Sequence, residues 1–191
     1  MSERGASAVE LVIAGAIVIV MASIAVANLK SQVEDMRLLG AGRAFVGEFR
    51  KARSVAMCRN VQTAMRFEER TDGVYYSLYA DGNRNGVLSR DIERGEDHLI
   101  GGPFRLDASV AGVRVGIMPG IPAPPPDSGV LDPTDPVRFG RSNMLSFSPL
   151  GTATPGTFYV TNGRSQVAVR VTGGSGRVRL MAYRGGKWGE P

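Results

Sequence analysis

Cysteine and histidine are almost missing from this sequence of 191 residues, which contains one of each, Cys58 and His98. One cysteine cannot form an internal disulfide or a cysteine-rich metal cluster, and we expect Cys58 to be a small buried apolar residue. Cys58 and His98 lie in different predicted elements without paired carboxylates around them, so the groups needed for acid–base or nucleophilic catalysis are lacking. The glycine-rich stretch Gly173–Gly176 is not followed by Lys-Ser or Lys-Thr and is therefore not a phosphate-binding loop. The sequence predicts a protein that is not an enzyme.

Aromatic side chains make up only 7% of the sequence, whereas glycine occurs 25 times and proline 11 times. This composition predicts many turns, short strands and a modest core. The residues that follow the N-terminal apolar segment suffice for a single hydrophobic core, so we expect one globular domain.

Acidic residues are scarce at the C-terminal end, where Glu190 is the only one between Asn162 and Pro191. The net charge of +5 comes from this segment, because the rest of the chain is balanced. Its basic side chains are Arg164, Arg170, Arg177, Arg179, Arg184 and Lys187. Such a segment either binds an anionic partner or keeps the protein soluble.

A long apolar run covers residues 6–29, and Glu10 is its only charged residue. As an α-helix this run spans about 36 Å, enough to cross a hydrocarbon core of about 30 Å. The run follows Arg4 and Gly5, so cleavage after Gly5 would keep the helix in the mature chain. A carboxylate in lipid needs a partner, and the new α-amine of Ala6 is the obvious one.

The residues Arg4-Gly5-Ala6-Ser7-Ala8-Val9-Glu10-Leu11 resemble the signal of type IV pilins, in which a glycine precedes the cleavage site and the fifth mature residue is glutamate. The resemblance implies that prepilin peptidase cuts between Gly5 and Ala6 and that Ala6 is then N-methylated. It also implies that Glu10 acts in filament assembly. Residues 1–5 are then the leader peptide, and residues 6–29 the transmembrane and filament-core helix.

The amphipathic pattern of residues 30–58 predicts that the same helix continues, with apolar side chains at spacings near 3.6. Gly40, Gly42 and Gly47 weaken a helix, so we expect a bend or local melting near Leu39–Gly42. From residue 59 to 191 the pattern predicts an antiparallel β domain with a Pro-rich, surface-running loop at 119–136. The predicted strands are 61–67, 74–80, 113–118, 145–148, 157–161, 166–172 and 177–183, with further strands interrupted at Gly101-Gly102-Pro103 within 99–107.

Two stretches near the ends of this region resemble the GspH/FimT family of minor pseudopilins: Phe49-Arg50-Lys51-Ala52-Arg53-Ser54-Val55-Ala56 and Gly176-Arg177-Val178-Arg179. The resemblance implies an α+β fold, in which a long N-terminal helix with a transmembrane first half packs on an antiparallel β-sheet or β-sandwich. It also implies a single-pass protein of the bacterial inner membrane with its C-terminal domain in the periplasm, assembled into a type II secretion pseudopilus or a type IV pilus. The implied partners are prepilin peptidase, other pilin or pseudopilin subunits and the inner-membrane assembly platform.

The segment Asp81–Asp91 resembles a calcium-binding loop, and calcium is the one cofactor that the sequence offers. Oxygen ligands occur at alternate positions, and Gly86 stands where such loops turn sharply. The bidentate glutamate of a helix-flanked calcium loop is missing, because Ile92 occupies its position. An Asx-rich turn between two strands is the preferred alternative. The candidate ligands are Asp81, Asn83, Asn85, Ser89 and Asp91.

The basic C-terminal segment provides the second functional hypothesis, binding of DNA for uptake as in FimT-like minor pilins. Its Gly-Arg-Val-Arg stretch resembles the one associated with DNA binding in those proteins. Arginines two apart on a strand project to one face, where they can meet phosphates, and an exposed tryptophan can stack on a base. A solvated basic strand is the alternative. The candidate DNA-binding residues are Arg177, Arg179, Arg184, Lys187 and Trp188.

Overall fold

The computed structural model describes residues 8–106 and 111–191, with the side chains of residues 24–28 excepted. The chain divides into two compact units, of which the first ends at Met36 and the second runs from Arg37 to Pro191. The predicted leader and its cleavage residues, Gly5 and Ala6, lie outside the described residues.

Helix α1 (Ala8–Arg59) is continuous over 52 residues. It ends where Asn60 adopts a left-handed conformation with φ of 51°, which asparagine tolerates better than most residues. Helical structure is unbroken at Leu39–Gly42, so the predicted local melting there is wrong. Close packing explains the glycine at position 42 instead, because a Cβ there would lie 2.7 Å from Leu180 Cδ1 and 2.9 Å from Val167 Cγ1.

The predicted membrane segment 6–29 falls only in part on the described residues. Among the residues that the structure describes, no helix contains a stretch both long and apolar enough to cross a membrane.

Two antiparallel sheets follow the helix. The first consists of β1 (Thr63–Arg70), β2 (Gly73–Ala80), β3 (His98–Arg105) and β6 (Met144–Phe147), in the order β3-β2-β1-β6. The second consists of β4 (Arg114–Val115), β5 (Val137–Phe139), β7 (Gly156–Thr161), β8 (Gln166–Val171), β9 (Val178–Arg184) and β10 (Lys187–Gly189), in the order β10-β9-β8-β7-β4. Strands β4 and β5 pair with different halves of β7. A short helix, α2 (Ser89–Arg94), connects β2 to β3.

The main core lies between α1 and both sheets, and Phe49 is at its centre. The Phe49 ring lies 6.1 Å from that of Phe67 in β1, 5.8 Å from Phe139 in β5 and 5.9 Å from Phe158 in β7, centroid to centroid. The helix buries a stripe at spacings of three and four residues, as expected for one helical face. This stripe consists of Leu38, Ala41, Phe45, Phe49, Ala52 and Ala56. The predicted packing of the N-terminal helix on antiparallel sheets is thereby confirmed. Cys58 lies off this stripe and is exposed, so its predicted burial is wrong.

Several short elements differ from the sequence prediction. Strand β4 has two residues instead of the predicted 113–118. Gly116 N still donates to Tyr159 O at 3.1 Å, but Met118 N donates to a side-chain oxygen, Gln166 Oε1, at 2.8 Å. Strand β3 continues through Gly101-Gly102-Pro103, and shifts in its register with β2 absorb the irregularity. The elements β5, β10 and α2 were not predicted.

The Pro-rich loop runs over the outer face of the second sheet, where most of its residues are exposed but Ile121 and Leu131 are buried. Together with Tyr159 and Ala168 these side chains form a second, smaller core. Arg170 holds the loop by donating to Pro124 O at 3.0 Å and to the Asp127 carboxylate at 3.0 Å. The loop therefore packs on the second sheet and covers part of its outer face.

Candidate functional site: a basic groove beside helix α1

A groove of about 820 Å³ separates the second half of α1 from the start of β9. Both of its walls belong to the unit that begins at Arg37. Its helix wall consists of Arg43, Val46, Gly47, Arg50, Arg53, Ser54 and Met57, its strand wall of residues 176–180, and its remaining lining of Glu190 and Pro191.

Helical spacing explains the first wall. The exposed residues at 43, 47, 50, 54 and 57 recur every three or four positions, so they share one face of α1, next to the stripe that enters the core. Nothing lies within 4 Å of the position that a Cβ would occupy at Gly47, which leaves the middle of this wall open.

Two contacts fix the distance between the walls. At one end, Gly42 brings the helix backbone close to Leu180 of β9. At the other end, the Arg53 guanidinium donates from Nε to Gly151 O and from Nη2 to Ser175 O, both at 3.0 Å. Arg53 therefore joins α1 to the turn between β8 and β9, and its hydrogen bonds are used for structure.

The other four arginines of the groove are Arg43, Arg50, Arg177 and Arg179, and all are exposed. Within the described residues none of their guanidinium groups forms an ion pair or a hydrogen bond. Glu190 is the only acidic residue in the lining. Clustered positive charge of this kind attracts anionic groups.

The residues of the DNA hypothesis do not form one site. Arg177 and Arg179 line the groove, whereas Arg184 and Lys187 face each other in register across the β9–β10 hairpin. Trp188 is half-buried on the outer face of the sheet, where its Nε1 donates to Pro122 O at 2.7 Å and its ring lies 5.4 Å from that of Tyr183. Binding of DNA stays a prediction, but stacking of a base on Trp188 would require this contact to break.

Sequence reasoning missed the helix side of the groove. Arg43 and Arg50 have the seven-residue spacing of one helical face, which was a usable signal. No local pattern signals that this face lies beside β9, because that placement depends on contacts between residues about 100 positions apart, such as Arg53 with Gly151.

The candidate calcium ligands lie in one loop, but its geometry is that of an Asx-rich turn. Asp81 Oδ1 accepts hydrogen bonds from the backbone of Asn83 and Arg84, and Asp81 Oδ2 accepts one from the backbone of Gly86 at 2.8 Å. The side-chain amide of Asn85 donates to Asp91 Oδ2 at 2.9 Å.

Asp91 and Asp97 are the buried carboxylates of this region, although only Asp91 was singled out from sequence. Asp91 is 1% exposed, and hydrogen bonds from Asn85, then from Asn83 and Arg90, hold the pKa of its carboxyl below the usual range, against the effect of burial. Asp97 accepts from the backbone of Gly82 and Leu88. Ser89 is the first residue of α2. In the part of the chain that the structure describes, no three Asp, Glu, His or Cys side chains are grouped so that they could hold a metal. The donor set therefore does not fit calcium in this geometry, and calcium binding stays a prediction.

The first unit presents an apolar helix surface. Large apolar side chains are more than half exposed at neighbouring positions of α1, which point in different directions around the helix. These residues are Val9, Leu11, Val12, Ile13, Ile17, Val18, Ile19, Val20 and Met21. Glu10 lies among them, in the first turn of α1.

An α+β domain that follows a helix with an apolar surface is an arrangement suited to assembly, and comparison with known families agrees. The model of the family described as Type II transport protein GspH matches residues 41–176, well over half of the chain. The protein therefore belongs to the GspH family, a family of structural pseudopilins of type II secretion rather than of enzymes. No curated protein and no solved structure matched the chain.

Proposed function

We propose that this protein is a minor pseudopilin of a type II secretion system, which is processed, anchored and assembled through its N-terminal segment. Prepilin peptidase cleaves it between Gly5 and Ala6 and Ala6 is N-methylated. Residues 6–29 hold it in the inner membrane, with the C-terminal domain in the periplasm. The assembly platform then adds it to the pseudopilus, where other pseudopilin subunits surround it.

The observation that carries this proposal is the apolar surface of α1 between Val9 and Met21. Leu11 is 65% exposed and Val20 is 59% exposed, and their nine-residue separation places them on opposite sides of the helix. Burying one such side chain is worth about 1.5–3 kcal/mol, so this surface favours lipid or the apolar helices of other subunits. A helix that is apolar all round is expected in lipid or among other apolar helices and not in water.

Glu10 makes the apolar surface specific for a processed neighbouring subunit. A carboxylate in an apolar environment is costly unless it is paired, and the positively charged N-terminus of a neighbouring mature subunit is a suitable partner. The pair can form only after cleavage exposes the amine of Ala6. Processing and assembly are then coupled through one ion pair.

Binding of DNA, as in FimT-like minor pilins of a type IV pilus, is the second candidate function. The exposed guanidinium groups of Arg177 and Arg179 are the observation that favours it. Arginine–phosphate contacts release counterions, so binding would weaken with salt at a log–log slope of about −0.7 per contact on single strands.

Intact-mass spectrometry of the protein from its native host tests the first proposal. We expect a chain that begins at Ala6 with an added methyl group. The matched control is a Gly5→Leu variant, which should keep the full precursor mass because the residue before the cleavage site is changed. A wild-type chain that begins after residue 27, as an ordinary signal peptide would give, contradicts the proposal.

A further inference from the structure

The strand wall of the groove is an open sheet edge. Strand β10 pairs only with Ala182, Tyr183 and Arg184 of β9. Within the described residues, nothing pairs with the same side of β9 from Val178 to Met181. Because the Arg177 carbonyl accepts from Thr172 N, the backbone of the odd-numbered residues of β9 points toward β8. The N–H and C=O groups of Val178 and Leu180 therefore face the groove, and an exposed edge of this kind can pair with another extended chain.

Basic side chains flank this edge on both faces of the sheet. Arg43 and Arg50 lie on the side of α1, where Val178 and Leu180 also pack. Arg177 and Arg179 alternate with those residues and so leave the strand on the opposite side. Side chains of an added strand alternate between the two faces of the sheet. Arginines would therefore lie near both sets, those on the side of α1 and those on the opposite side. Opposite charges on neighbouring strands stabilise pairing, which favours an acidic strand.

The chain itself already places a carboxylate there. Strand β10 is an extended segment added to the edge of β9, and the next residue, Glu190, lines the groove. The open edge of β9 offers both N–H and C=O groups, and a peptide backbone can pair with both, whereas a phosphate backbone has no donor for the carbonyl groups. Trp188, the candidate for stacking on a base, donates a hydrogen bond to Pro122 O instead. These features favour a peptide over a nucleic acid.

We propose that the groove between α1 and the free edge of β9 binds an extended acidic peptide segment, which adds to the second sheet as a further strand. The segment belongs to a neighbouring subunit, and in this point alone the inference rests on the proposed function. Main-chain hydrogen bonds to Val178 and Leu180 supply the pairing, and the exposed arginines select the acidic side chains. Strand addition would fix the orientation of the C-terminal domain against its neighbour.

Fluorescence anisotropy with the full chain in detergent tests this proposal. The probe is a labelled peptide of alternating glutamate and valine. One competitor is a peptide of the same sequence with N-methylated backbone amides, and the other is a single-stranded oligonucleotide of equal charge. We expect the acidic peptide to bind and the N-methylated peptide to bind at least tenfold more weakly, because it cannot donate to the strand edge. The groove variant Arg50→Gln/Arg179→Gln should weaken binding by about five- to twenty-fold, since each exposed ion pair is worth up to about fivefold in affinity.

The matched control is Arg114→Gln/Arg141→Gln, which removes two exposed arginines outside the groove and should leave binding unchanged. The charge-reversed variant Arg50→Glu/Arg179→Glu should bind a lysine–valine peptide instead, which also shows that the fold is intact. The proposal is overturned by the absence of peptide binding at low salt, by equal binding of the N-methylated peptide, or by equal loss in both Gln variants. Tighter binding of the oligonucleotide with the same dependence on Arg50 and Arg179 would make the groove a nucleic-acid site and would also overturn it. None of these outcomes bears on where the mature chain begins, which mass spectrometry tests separately. The peptide proposal can therefore fail while the proposed function stands.

Discussion

At the scale of single residues, the buried carboxylate of Asp91 shows how this protein uses charge away from the groove. Its partners are the side-chain amides of Asn83 and Asn85 and the Arg90 guanidinium, whose Nε lies 3.3 Å from Asp91 Oδ1. These donors favour the ionised form, and so the pKa of Asp91 is lowered in the folded state. The free energy of unfolding must therefore depend on pH through the ionisation of Asp91.

We expect Asp91→Asn to unfold at lower urea concentration than wild type at pH 7. A lowered pKa in the folded state contributes stability that is fully present above the unfolded value of about 3.9 and is lost as the pH falls through the folded value. The difference between the two proteins should therefore shrink below about pH 4. The exposed neighbour Glu93, changed to Gln, is the control and should show no such pH dependence. A constant difference from pH 7 to pH 2 would contradict this assignment.

Thermal denaturation tests the calcium hypothesis for the loop. Both carboxylate oxygens of Asp81 already accept backbone hydrogen bonds, so we expect equal melting temperatures in millimolar calcium and in excess chelator. A cation that binds only the folded state would raise the melting temperature. A rise that disappears in Asp81→Ala would establish a calcium site.

At the scale of elements, helix α1 combines two kinds of surface. Its first part exposes apolar side chains on several sides, and its last part buries one stripe and lines the groove with another face. Val46 belongs to both the groove and the core, but the arginines of the groove at positions 43 and 50 are exposed and lie outside the core, so they can be changed without altering it. This separation allows the groove variants to be interpreted.

We expect Phe49→Ala to lower the free energy of unfolding by about 3–5 kcal/mol, because it removes a fully buried ring that contacts three others and leaves a cavity. Phe49→Leu should cost clearly less, since it keeps part of the volume. Met57→Ala, at a half-exposed position two turns further along α1, should change stability by less than about 0.5 kcal/mol. Urea denaturation of the three variants measures these differences. An equal cost for Met57→Ala and Phe49→Ala would show that the helix does not pack as described.

At the scale of the whole molecule, assembly should depend on one carboxylate in the apolar part of α1. We expect Glu10→Leu to enter the membrane as well as wild type but to be largely absent from sheared filaments, because a buried partner charge left alone typically costs about 3–5 kcal/mol. Glu34→Leu is the control, since it removes a carboxylate from the same helix outside the apolar run. Immunoblots of membrane and filament fractions measure both. Equal amounts of the two variants in filaments would remove Glu10 from the mechanism.

The sequence by itself determined the features that depend on local spacing. The apolar run with Glu10, the helical stripe through Phe45 and Phe49, and the alternation in β8 and β9 are all visible in consecutive residues. Helix and strand periods act over a few residues, which is why these elements and the α+β class could be predicted.

Only the tertiary structure decided where the functional side chains meet. Strands as short as β4 and β10 exist because a longer strand beside them offers pairing, and the Pro-rich loop buries Ile121 and Leu131 because they pack on apolar side chains of the outer face of the second sheet. Other long-range contacts half-bury Trp188 against Pro122 and bring α1 beside β9, so that Arg50 and Arg179 line one groove. These pairings join residues that are far apart in the chain, and their free energy depends on packing and partner edges that no local pattern encodes.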